Sequence, residues 1–111
     1  MEFKVIEKND AVIIELTGKL IGSPFMQQMS ETLHKLLDEG KKTVVADMSG
    51  VSMITSTGIG VLISAYTTMK NGDGIFKLAN ISDRAAGLLT ITKLDKVFEY
   101  YPSVDEALAS D

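Results

Sequence analysis

At 111 residues, with 45% apolar and 23% charged side chains, the chain has enough apolar material for one core and not for two, and lies far from the composition of disordered segments. No apolar run approaches the ~20 residues that span a bilayer, the start Met1-Glu2-Phe3-Lys4-Val5 lacks the pattern of a secretion signal, and the absence of cysteine excludes disulfides and thiolate zinc sites. A net charge of −4, with ten lysines and one arginine (Arg84) dispersed among fifteen acids, gives no basic stripe and argues against nucleic-acid binding, so the expectation is a single cytoplasmic domain over residues 1–111 without membrane insertion.

Phe3-Lys4-Val5-Ile6-Glu7 and Ala11-Val12-Ile13-Ile14-Glu15-Leu16 are β-branched runs separated by Lys8-Asn9-Asp10, the pattern of a hairpin. The second strand is expected to stop at Thr17-Gly18. Ser23-Pro24 then predicts a helix start, with serine as N-cap and proline at the first helical position. Phe25, Met26, Met29, Leu33, Leu36 and Leu37 form its apolar stripe, and Gly40 supplies its stop. Thr43-Val44-Val45-Ala46 reads as a strand buried on both faces, leading into a loop from Asp47 onward. A second helix from Gly58 turns Ile59, Leu62, Ile63, Tyr66 and Met69 inward and ends at Asn71-Gly72-Asp73-Gly74. Ile75-Phe76-Lys77-Leu78-Ala79 is the next strand. Ser82-Asp83 starts a short third helix with Ala85, Leu88 and Leu89 inward, weakened by Gly87. Val97-Phe98-Glu99-Tyr100 suits an edge strand, and Ser103-Val104-Asp105-Glu106 is a capping box for a last helix. The order predicts an α/β fold with about four helices on a mixed sheet of four to five strands: one antiparallel hairpin, then parallel strands joined by right-handed crossovers.

Asp47-Met48-Ser49-Gly50-Val51-Ser52-Met53-Ile54-Thr55-Ser56-Thr57-Gly58-Ile59-Gly60 is the most informative stretch, because it sets hydroxyls where a strand gives way to a helix. The first N–H groups of a helix lack intrahelical partners and carry the positive end of its dipole, which suits a phosphate. Ser56 or Thr57 therefore serves either as an N-cap, worth about 1 kcal/mol, or as a phosphoacceptor gaining about 1.5 to 2 negative charges. Asp47 suits an organiser that accepts backbone hydrogen bonds better than a catalytic acid. Met48 and Met53 suit core or half-buried packing.

Enzymatic readings find little support. His34, the only histidine, falls on the polar face of the first helix, and Ser56 lacks the glycine two residues earlier that a G-x-S-x-G elbow requires. Gly58-Ile59-Gly60 has Ile63 where a dinucleotide fingerprint has glycine, and no P-loop occurs, so no cofactor is expected.

The run Val44-Val45-Ala46-Asp47-Met48-Ser49-Gly50-Val51 followed by Ile54-Thr55-Ser56-Thr57-Gly58-Ile59-Gly60-Val61-Leu62 resembles the signature of the STAS domain family, the anti-sigma-factor antagonists. Val12-Ile13-Ile14-Glu15-Leu16-Thr17-Gly18-Lys19-Leu20, Phe76-Lys77-Leu78-Ala79-Asn80-Ile81-Ser82 and Phe98-Glu99-Tyr100 through Ala107-Leu108 follow in the family's order, so the resemblance covers nearly the whole chain. It implies a non-enzymatic regulator that binds an anti-sigma factor acting also as a serine kinase. Phosphorylation of the serine matching Ser56 switches it off, and a metal-dependent serine phosphatase restores binding. On this reading Asp47, Ser49, Thr55, Ser56, Thr57, Gly58 and Gly60 form the partner surface, the two glycines allowing close approach. Two positions depart from the family: Thr55 stands where Asp is common before the modified serine, and Ile21 where Asp commonly follows the Gly-x-Leu of the early loop. Both remove negative charge near the site, which leaves open a phosphorylation-independent STAS scaffold in a transporter or stressosome-type assembly.

Overall fold

The computed structural model describes residues 2–8, 11–20 and 25–109. Strand β1 (Glu2–Lys8) pairs antiparallel with β2 (Ala11–Leu20), from Phe3 opposite Leu16 to Lys8 opposite Ala11. Helix α1 (Phe25–Asp38), β3 (Thr43–Ile54), α2 (Ser56–Asn71), β4 (Ile75–Ala79), α3 (Asp83–Ile91), β5 (Glu99–Tyr101) and α4 (Val104–Ala109) follow. The sheet runs in the order β1-β2-β3-β4-β5, and every pair after the first is parallel. This is the mixed α/β architecture expected from the element order. The Ser23-Pro24 helix start and the Asn9-Asp10 turn lie outside the described residues.

Side-chain alternation divides the sheet into two faces. Val12, Ile14 and Leu16 of β2, Val44, Ala46 and Met48 of β3 and Phe76 and Leu78 of β4 point into the main core with the buried residues of α1, α2 and α3. Edge-to-face contacts of Phe98 with Tyr66 (ring centroids 5.6 Å apart) and Phe76 (6.4 Å) close its far end. On the opposite face, Val45 and Ala79 meet Ala107 of α4. Lys77, only 2% exposed, donates from Nζ to the Ala107 carbonyl at 2.9 Å and lies 5.5 Å from the Tyr101 ring centroid, tying α4 to this face.

Two inward assignments are corrected. Ile63 is exposed, while Val61 and Ala65 are buried, because α2 packs against α1 as well as the sheet and so buries a wider sector than one stripe. Met53 is 43% exposed, whereas Met48 is in the core.

The largest departure concerns β3. It runs on to Ile54 instead of ending at Ala46, and β2 continues to Leu20. Because β4 stops at Ala79, opposite Asp47, the later half of β3 has only β2 beside it. This two-stranded arm is irregular. β3 takes three residues against two of β2 between the Glu15–Asp47 and Thr17–Gly50 pairs, and two against one between Gly18–Val51 and Lys19–Met53. Gly18 at φ 98° lies where other residues are strained, and a Cβ on Gly50 would come within 2.7 Å of the Leu16 carbonyl. Among the described residues, no helix is long and apolar enough to cross a membrane.

Helix ends follow one design with different residues. After α1, Gly40 (φ 82°) donates to Leu37 and Lys41 to Leu36, a Schellman closure. After α3, Lys93 takes the same left-handed position (φ 62°), donating to Thr90 while Leu94 donates to Leu89. A lysine there carries a steric cost that glycine lacks, so Lys93→Gly is expected to raise stability by about 0.5–1 kcal/mol in urea denaturation. A loss of stability would refute the assignment.

Candidate functional site

The arm ends where α2 begins. Thr55 N–H donates to the Leu20 carbonyl at 3.2 Å, closing the last rung between β2 and the helix entrance. Thr55 is the N-cap: its backbone is extended (φ −115°, ψ 172°), its Oγ1 accepts from Gly58 N–H at 3.1 Å, and its carbonyl accepts from Ile59 N–H at 2.9 Å. The capping role thus belongs to Thr55, not to Ser56 or Thr57, whose side chains stay exposed at the first two helical positions. Thr55 does here what aspartate would do, since either side-chain oxygen can accept the bond from the third helical N–H.

Gly58 is buried, and a Cβ there would lie 1.8 Å from the Leu20 carbonyl oxygen. Its glycine is required by the chain's own packing: of the two close approaches expected, a partner's backbone or the first helical turn, it is the helical turn that is brought against β2. Gly60 differs: the nearest atom to an added Cβ is the Met26 methyl at 3.8 Å. Asp47 and Ser49 lie at another height of the sheet, because Asp47 pairs with Glu15 and Ala79 while Ile54 pairs with Leu20. Asp47 Oδ1 accepts from Ser49 N–H and Asn80 Nδ2–H, both at 3.0 Å. It organises backbone as expected, within a bulged strand and not a loop. Ser52 Oγ donates to the Gly18 carbonyl at 3.2 Å, bridging the second irregularity.

An open groove of about 480 Å³ runs from the α2 entrance to α3, lined by Ile54, Thr55, Ser56, Arg84, Leu88 and Ile91, with Gly87 at its edge. Its wall is apolar apart from two hydroxyls and one guanidinium. Among the described residues, those lining it include no imidazole or carboxylate beside Ser56. His34 lies elsewhere, on the exposed face of α1, its Nδ1 2.8 Å from the Ser30 carbonyl. The α3 side of the groove was missed by sequence reasoning. Ser82 does cap α3, accepting from Ala85 N–H at 3.1 Å, with Ala85 and Leu89 buried beneath it. The available signal was Ile91, an isoleucine outside the predicted stripe, and it is 79% exposed.

The site separates two glycines that look alike in sequence. Gly58→Ala is expected to cost about 3 kcal/mol or more, since the Leu20 carbonyl is backbone and cannot rotate away. Gly60→Ala is expected to gain roughly 0.5–1 kcal/mol from helix propensity. Urea denaturation of both variants checks the pair, and equal effects would contradict the geometry.

Comparison with known proteins adds a family. The STAS domain model matches residues 2–107. The anti-sigma-B factor antagonist of Bacillus subtilis is 31% identical over 71 residues, 64% of this chain and 64% of that protein. A Thermotoga neapolitana homolog of TM1081 is 28% identical over 74 residues, 67% of this chain and 66% of the relative, so the chain spans just under two thirds of these relatives' length. The solved structure of the Bacillus cell fate determinant SpoIIAA in its phosphorylated form shares the fold, with a TM-score of 0.72 at 17% identity over 97% of each chain.

Proposed function

For a chain that belongs to the STAS domain family, we propose the role of an anti-sigma-factor antagonist, a binding module whose interface centres on the α2 entrance. Unmodified, it binds an anti-sigma factor that is also a serine kinase. That kinase transfers the γ-phosphoryl group of ATP to Ser56 Oγ, which ends binding, and a serine phosphatase removes the phosphate and restores it. Two of the similar proteins support the reading: one is named an anti-sigma-B factor antagonist, and the other has been solved phosphorylated.

The observation that carries the proposal is the position of Ser56, exposed at the first turn of α2 on the rim of a mainly apolar groove. Thr57 lies beside it, Thr55 behind it as the cap, and Gly58 beneath it against Leu20. Gly60 is the one glycine of the turn not forced by internal packing, and so the one available to a partner. Asp47 and Ser49 serve this surface by shaping the bulged arm that carries α2.

A phosphate at a helix N-terminus is compatible with the fold, so modification acts on the interface and not by unfolding. Mass measurement after incubation with ATP and the cognate kinase is expected to show one added phosphate on wild type and none on Ser56→Ala. Ser56→Asp is expected to keep its melting temperature within a few degrees while losing the partner. An unmodified wild type beside an active kinase would replace the switch with a scaffold that binds without phosphate control. Loss of fold in Ser56→Asp would overturn the interface mechanism.

A further inference from the structure

We propose that Arg84 is the latch for a phosphate on Ser56: its guanidinium reaches across the groove from α3, pairs with the phosphate and covers the apolar wall formed by Leu88 and Ile91. The inference rests on Ser56 being the phosphoacceptor, and it names how the modification would close the surface.

Three observations carry it. Arg84 and Ser56 line the same groove from opposite elements, Arg84 in the first turn of α3 and Ser56 in the first turn of α2. Arg84 is exposed and holds no ion pair or side-chain hydrogen bond with any described residue; the two ion pairs, Lys8–Asp105 and Lys41–Glu7, involve other elements. Among the described residues, none of those lining the groove is a carboxylate that would compete for it. Exposed Asp83, its chain neighbour, does not line the groove.

Chemically, the guanidinium offers a planar fork of donors that matches phosphate oxygens two at a time. As the chain's only arginine, in a molecule of net charge −4, it is the one group able to offer that bidentate geometry. Unmodified Ser56 offers a neutral hydroxyl, which leaves the arginine in water and the apolar wall open. The dianion draws the side chain over exposed Ile91 and half-buried Leu88, an apolar wall that would otherwise serve a partner. The coupling therefore joins added charge to loss of accessible apolar surface without movement of the backbone.

The test uses the full chain with phosphoserine installed at position 56 during synthesis, so that no kinase is needed. Phosphorus NMR follows the second phosphate ionisation, near pH 6 in an unperturbed phosphoserine. In wild type it is expected about half a unit or more below that of Arg84→Gln, because the nearby cation favours the dianion. Arg84→Lys should fall between them, keeping the charge without the fork. Lys19→Gln serves as a control, since Lys19 is an exposed cation on β2, pairing in register with Met53, that does not line the groove; it should titrate like wild type. Raising the salt to 1 M should narrow the wild-type difference.

Coincident titrations of wild type and Arg84→Gln would overturn the latch, as would an equal shift in Lys19→Gln, which would indicate a diffuse field. Unphosphorylated Arg84→Gln should melt with wild type, since the side chain bonds none of the described residues. Failure of the cognate kinase to modify Ser56 would remove the switch proposed above, whereas the titration would still decide whether Arg84 grips a phosphate there.

Discussion

The contact between the Leu20 carbonyl and the backbone of Gly58 governs the rest of the site. One carbonyl oxygen accepts from Thr55 N–H and also lies where any side chain at position 58 would begin. Because a strand carbonyl cannot swing aside, the end of β2 and the start of α2 have one relative placement, and Ser56 is carried at the exposed rim of that junction. The two register shifts of β3 belong to the same constraint. By adding residues to β3 alone they set which residue of β3 meets Leu20, and a strand slipped by one would turn its side chains over. Asp47, though distant from Ser56 along the strand, acts on it by holding the first irregularity through Ser49.

The layers explain why the groove exists at all. α1, α2 and α3 share one face of the sheet, whereas the other face has α4 held by Lys77. α3 is short and buries Ala85 and Leu89, small or single contacts compared with the long apolar stripe of α1. Leu88, packed at the edge of the core, and exposed Ile91 lie beside the α2 entrance and line the groove.

Most of the fold was legible because local rules and global packing agree. The hairpin, the α1 stripe with its Gly40 stop and the Ser82 and Ser103 caps all fall where residue chemistry placed them. β3 was truncated in the reading because its continuation has one strand neighbour and only partial burial. Alternation therefore fades, and Ser49, Gly50 and Ser52 resemble loop chemistry. Lys93 at a helix end gave no sign of a left-handed position, since side-chain type predicts that conformation only for glycine and asparagine. Within the site, spacing revealed the hydroxyl cluster but could not choose the cap, because Thr55, Ser56 and Thr57 are all good caps and a shift of one residue decides among them. Arg84 and Ile91 were hidden for a different reason: no local pattern brings α3 to α2, and only the sheet order does so.

The Thr55 cap also changes what a phosphate would meet. An aspartate at that position would hold the same N–H while placing a carboxylate beside Ser56, and two unit charges 4 Å apart in water repel by about 1 kcal/mol, roughly doubled for a phosphate dianion. Threonine removes that repulsion and keeps the hydrogen bond. A threonine at position 55 would therefore lower the energetic cost of a phosphate on Ser56 without loosening the helix start, and the proposed Arg84 contact would act in the same direction. A phosphate carried on Ser56 would then be held more stably here than beside an aspartate cap.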